Sequence, residues 1–73
     1  MIFEWYEVWA DESHDIPYLL ILYLSLSEKG KFFIVDPKEN NKIVKVLTDY
    51  DAATAWLTED EFTLIQGRMI SDE

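Results

Sequence analysis

The chain has 73 residues, no cysteine and a formal net charge of -9 at pH 7. A chain of this length forms one small domain with a marginal core, and no disulfide can stabilise it. Because 49% of the residues are hydrophobic and 15% are aromatic, the composition excludes a chain that is a disordered tail over its whole length. We expect a single domain over residues 1–70 and a frayed tail at residues 71–73.

Charge is distributed unevenly along the chain. Residues 1–28 have a net charge of -6 without any lysine or arginine, residues 29–45 have +3 because of five lysines, and residues 46–73 have -6. The net negative charge of the chain repels the phosphate backbone of nucleic acids, so we expect no nucleic-acid partner. The lysines of the middle segment are typical of a solvated hairpin that discourages edge-to-edge strand pairing.

The most apolar stretch is PYLLILYLSLS, residues 17–27, which contains no charged residue. A membrane-spanning helix needs about 20 apolar residues, and this run is only about half that length. The N-terminal sequence MIFEWYEVWADE also lacks the basic and small-residue features of a signal peptide. We therefore expect no membrane partner and a cytoplasmic location.

The N-terminal half of the chain predicts two strands. Residues 2–10 are mostly aromatic and β-branched, which favours a strand, and the turn-forming segment DESHDIP follows them. Residues 18–26 predict a second strand, because a proline precedes them and the turn SEKGK follows. Both alternating rows of this second strand are mostly apolar, which indicates a central strand covered on both faces for most of its length.

The sequence after the second strand predicts two shorter strands and then a helix. Gly30 can adopt a positive φ in the turn SEKGK. Residues 31–35 and 43–47 predict strands, and the polar turn DPKENNK separates them. Asp49 is a suitable N-cap for a helix, and Asp51 suits its first turn. The segments from the first strand onward therefore predict an antiparallel meander followed by a short helix.

The segment after this helix has two interpretations. The sequence TEDE at residues 58–61 matches a capping box, which would begin a second helix. Alternatively, EFTLIQG at residues 61–67 is a fifth strand, because Phe, Thr and Ile cluster before a glycine. We prefer the strand. The predicted fold is α+β: a small antiparallel β-meander of four to five strands with one short helix packed on one face before the last strand.

Candidate metal and catalytic groups are each incomplete. Residues 49–60, DYDAATAWLTED, begin like a calcium loop but lack its central glycine and its fifth-position ligand. His14 is the sole histidine, and with Asp11 and Asp15 it makes a weak candidate site for zinc or manganese. No nucleophile motif or phosphate-binding loop occurs, so we predict no catalytic residue and no cofactor.

The sequence also predicts an apolar surface that could bind another protein. One short helix covers only one face of a sheet, so apolar residues on the other face would be exposed to water. We expect that face to bind another protein, most simply a second copy across a two-fold axis. The interface candidates are large apolar residues of the first two strands: Trp5, Trp9, Leu19, Ile21 and Tyr23.

Three functional hypotheses follow. The first is a non-enzymatic protein-interaction module, homodimeric or bound to a larger protein. The second is an acidic inhibitor or immunity-type protein that masks a basic surface, such as that of a nuclease. The third is a small metal-dependent enzyme that uses the carboxylates of DESHD and TEDE.

Overall fold

The computed structural model describes residues 3–13, 15–25, 27–28 and 30–70, and for residues 3 and 66–70 the backbone alone. His14 and the tail at 71–73 therefore lie outside the described residues. Within the described ranges the chain forms strands, one turn of 3-10 helix and an α-helix. In chain order these are β1 Phe3–Asp11, β2 Tyr18–Ser25, β3 Phe32–Asp36, the 3-10 turn Pro37–Glu39, β4 Lys42–Leu47, α1 Tyr50–Glu59 and β5 Thr63–Ile70.

The strands form one antiparallel sheet in the order β4-β3-β2-β1-β5. β1 to β4 are a meander, and α1 carries the chain from the β4 edge to the β5 edge, where β5 pairs with β1. This arrangement confirms the predicted α+β fold with one helix before the last strand. It also confirms that β2 is central, and that the segment after the helix is a strand.

The C-terminal end of α1 explains why TEDE does not begin a second helix. The Glu61 amide donates to the Thr58 carbonyl at 3.0 Å, and the Phe62 amide donates to the Leu57 carbonyl at 3.0 Å. Glu61 has a φ of 67°. This pair of bonds around a left-handed residue is the Schellman motif, which ends a helix. Phe62 and Leu57 are both buried in the same core cluster, as that motif favours.

The start of α1 and the last two connections of the meander, β2–β3 and β3–β4, follow their sequence signals. The Asp49 carboxylate caps the helix by accepting the Asp51 amide at 3.0 Å. Gly30 has a φ of 79°, as expected for its turn. Asn40 and Asn41 have φ values of 63° and 62° after the 3-10 turn, which asparagine tolerates better than most residues.

The main core lies between α1 and one face of the sheet. The helix packs Ala53 and Leu57 against alternate residues of β1, β2 and β3. Burial of these side chains removes apolar surface from water, which is the main stabilising contribution to a fold without disulfides. The buried members of this cluster are Trp5, Trp9, Leu20, Leu22, Ile34, Ala53, Leu57 and Phe62.

No helix in the described part of the chain combines the length and apolarity needed to cross a membrane.

Candidate functional site

The five interface candidates lie on the two opposite faces of the sheet. Trp5 and Trp9 face α1, and only 9% and 6% of their surface is exposed. Leu19, Ile21 and Tyr23 alternate onto the other face, because strand side chains point to opposite sides in turn. The structure therefore assigns the two tryptophans to the core beneath the helix and brings the other three together on the helix-free side.

The helix-free face consists of side chains in cross-strand register. One row runs across four strands through Val46, Phe33, Tyr23 and Tyr6. The next row runs through Ile43, Val35, Ile21 and Val8, and Leu19 and Ala10 follow it. We call these ten residues the helix-free face.

The centre of the helix-free face is buried and its periphery is exposed. The rings of Tyr23 and Phe33 stack with centroids 5.3 Å apart and an interplanar angle of 11°. These two rings are buried with Val35, and Tyr6 and Ile21 pack against them. At the periphery, Leu19, Ile43 and Val46 remain 43%, 48% and 45% exposed.

Burial also affects the chemistry of Tyr23. Burial raises the pKa of its phenol, and the nearby negative charge of Glu28 raises it further. Both causes disfavour the charged phenolate. The raised pKa therefore extends the neutral form of this phenol to a higher pH than in a solvated tyrosine.

Charged residues are absent from the helix-free face as its ten residues define it. The charged strand residues with assigned partners alternate onto the other side of the sheet; these are Glu7, Asp11, Asp36, Lys42 and Lys45. The exposed Glu4 of β1 alternates in phase with Tyr6 and Val8, so one acid lies at the edge of the helix-free face.

Glu7 is a buried carboxylate on the helix side of the sheet, with 3% of its surface exposed. It accepts hydrogen bonds from the Trp9 indole at 3.1 Å and from the Tyr50 hydroxyl at 2.9 and 3.1 Å. A buried carboxylate without donors would be strongly unfavourable. These bonds therefore connect β1 to the first residue of α1 and help to fix the helix on the sheet.

A groove of about 360 Å³ opens on the helix side, between the end of α1 and the sheet. We call it the acidic aromatic groove, because its walls include three aromatic rings and two carboxylates. Its lining residues are Asp11, Tyr18, Leu20, Val44, Trp56, Asp60 and Phe62.

Tyr18 is 41% exposed, and a hydrogen bond of its hydroxyl holds its ring in this groove. Its hydroxyl donates to the Asp36 carboxylate, which also accepts the Lys38 amide at 2.9 Å. The hydrogen bond to Asp36 is the main cause that raises the pKa of Tyr18, followed by burial and by the charges of Asp36 and Glu39. The ring also meets Phe62 edge-on at 6.2 Å.

The metal candidates Asp11, His14 and Asp15 do not form a metal site within the described residues. The Asp11 carboxylate accepts both the amide and the hydroxyl of Ser13, at 3.0 and 2.6 Å. Asp15 is exposed, and His14 is not among the described residues. Within the described part of the chain, no group of three or more His, Cys, Asp or Glu side chains is placed to hold a metal ion.

The acidic aromatic groove was not anticipated from the sequence. Tyr18 alternates in phase with the core residues Leu20 and Leu22, so the sequence does indicate that these three side chains share one face of the sheet. The approach of Trp56 and Asp60 to that side depends on how α1 crosses the sheet, which no local pattern in the sequence specifies.

Comparisons of the chain with protein-family models, with curated proteins and with solved structures found no match.

Proposed function

We propose that this chain is a small, non-enzymatic protein-interaction module that forms a homodimer through its helix-free face. The observation that carries the proposal is a continuous apolar surface of ten residues, three of them 43–48% exposed, in a chain with a net charge of -9. Two such chains repel each other in most orientations, since like charges raise the energy of close approach. The helix-free face is where two copies can approach with the least repulsion.

The exposed periphery supplies the apolar surface for association. Leu19, Ile43 and Val46 lie on strands β2 and β4, around the stacked rings of Tyr23 and Phe33. Sheets pack face to face with interdigitating side chains about 10 Å apart. A two-fold axis through this face would place identical apolar rows against each other, as an isologous interface requires.

The first experiment is the solution mass by light scattering after size-exclusion chromatography, at several concentrations and two salt concentrations. The chain has a mass of 8.6 kDa, and we expect about twice that value for the dimer. Because the copies repel each other, the dimer fraction should increase with salt as the repulsion is screened. A mass that stays at one chain at all concentrations would contradict the homodimer.

A matched pair of valine variants tests which face is used. Val46 is on the helix-free face and 45% exposed, whereas Val44 lines the groove on the helix side and is 42% exposed. Both lie on β4, so Val46→Lys and Val44→Lys change the same residue type on the same edge strand. We expect Val46→Lys to be monomeric and Val44→Lys to dimerise. The reverse result would place the interface on the helix side.

A second candidate function is an acidic inhibitor that masks a basic surface. It is supported by five exposed carboxylates on α1 and its flanks: Asp49, Asp51, Glu59, Asp60 and Glu61. Binding to a basic nuclease would weaken steeply as salt increases, because exposed charges are screened. The apolar homodimer has the opposite salt dependence, so one salt series separates the two functions. For both candidate functions we propose a cytoplasmic location.

A further inference from the structure

The acidic aromatic groove is a separate feature from the helix-free face, because it lies on the opposite side of the sheet. We propose that this groove binds the guanidinium group of an arginine side chain from a basic partner protein. The relevant walls are the rings of Tyr18, Trp56 and Phe62 and the carboxylates of Asp11 and Asp60. This inference does not depend on the homodimer.

The aromatic walls suit a flat organic cation. Cations are attracted to the face of Trp and Tyr rings within about 6 Å. Tyr18 is held in place by its hydrogen bond to the buried Asp36 and by its edge contact with Phe62 at 6.2 Å. The ring lies within reach of one cation of the chain itself, since Lys38 Nζ is 5.9 Å from its centroid, but Lys38 does not line the groove.

The charge at the open end of the groove also favours a cation. The C-terminal end of a helix carries a partial negative charge, which basic side chains commonly compensate. α1 has ten residues and no basic residue in its last turn, and the carboxylate-bearing Asp60 is its C-cap. Asp11 adds a second carboxylate to the lining. A positive group from outside the chain would therefore be stabilised at this end.

The groove fits a guanidinium better than a metal ion. Calcium takes six to eight oxygen ligands, and magnesium requires near-octahedral coordination, whereas this lining supplies two carboxylates among mostly apolar walls. A guanidinium is planar and weakly hydrated, stacks on aromatic rings and pairs with carboxylates. It can use both the rings and the acids of the groove.

The test is an NMR titration of the ¹⁵N-labelled chain with N-acetyl-arginine methylamide, which has a peptide backbone and a single charge. The matched control ligand is N-acetyl-citrulline methylamide, which has nearly the same shape and no charge. We expect a saturable shift of the Trp56 indole NH with the arginine compound. The buried Trp5, which contacts the start of α1 through Tyr50 at 5.8 Å, serves as the internal reference.

Two variants separate the groove from the general negative field. Asp60→Asn and Asp51→Asn each remove one exposed acid from α1 or its cap, but only Asp60 lines the groove. We expect Asp60→Asn to weaken arginine binding about two- to fivefold and Asp51→Asn to leave it unchanged. Circular dichroism would verify that both variants remain folded.

Four results would overturn the proposal. They are the absence of a saturable shift at Trp56, an equal shift with the citrulline compound, an equal shift with calcium or magnesium chloride, and equal weakening by the two variants. An equal response to citrulline would identify an apolar cavity without cation selectivity. Equal weakening by the variants would identify long-range electrostatic attraction instead of a site. The comparison of the two ligands needs no variant, so it stands even if Asp60→Asn unfolds.

Discussion

Glu61 occupies a position in the Schellman motif that favours glycine, and its replacement should stabilise the protein. Its φ of 67° lies in the left-handed region, where an L-residue is disfavoured by roughly 1–2 kcal/mol. Its charge also lies beside the negative end of α1, which is unfavourable by about 0.3–1 kcal/mol. Glycine removes both penalties, but it increases the entropy of the unfolded chain by the equivalent of about 0.4–1 kcal/mol. We expect Glu61→Gly to stabilise the fold by about 1 kcal/mol.

The assay is urea denaturation at a fixed protein concentration, with thermal melting as a second measurement. For a chain of this length, 1 kcal/mol corresponds to an increase in Tm of about 4–8 °C. Glu61→Gln is the matched control, since it removes the charge and keeps the disfavoured backbone conformation. The difference between the two variants isolates the backbone contribution.

The reasoning would be refuted if Glu61→Gly were no more stable than Glu61→Gln. In that case the strain at this residue is negligible, and only the charge at the helix end affects stability.

Two further predictions concern the phenols of Tyr50, which is partly buried, and Tyr23, which is buried. Tyr50→Phe keeps the ring contacts of Tyr50 but removes its hydrogen bonds to Glu7, so we expect a loss of about 1.5 kcal/mol and a decrease in Tm of about 6–12 °C. Thr58→Ala, which removes an exposed hydroxyl bond, is the control and should melt close to wild type. The raised pKa of Tyr23 contributes stability that is fully present below pH 10.0 and is lost as pH rises through the raised value. Urea denaturation across this range should show a smaller alkaline loss in Tyr23→Phe, and an unchanged loss would exclude Tyr23 as its source.

The strands and the helix could be predicted from the sequence because their signals are local. The aromatic and β-branched content of β1, the proline and the turn that bound β2, the glycine at residue 30 and the cap at Asp49 each act within a few residues. The exit of α1 was ambiguous, since TEDE satisfies the rule for a helix start. What resolves it is the burial of Phe62 against the same core as Leu57, and this is a tertiary contact.

The assignment of residues to faces was only partly accessible from the sequence. The apolar character of both rows of β2 correctly indicated a central strand, but it did not indicate which row α1 covers. Trp5 and Trp9 are as apolar as Leu19 and Ile21, and only the path of the helix from β4 to β5 places the tryptophans inside. The acidic aromatic groove depends on the same crossing, and therefore could not be predicted from residue spacing.

The pairing of β5 with β1 has a mechanical consequence. Trp5 is opposite Ile70, so Phe3, the first described residue, and Ile70 lie at the same end of two antiparallel neighbours. A force pulling Phe3 and Ile70 apart would load the hydrogen bonds between these strands one after another, like a zipper. A force between Asp11 and Ser25, which lie at opposite ends of the β1–β2 pair, would instead load many bonds together in shear. The same sheet should therefore yield at low tension in the first direction and resist in the second, which single-molecule pulling with handles at these two pairs of residues can measure.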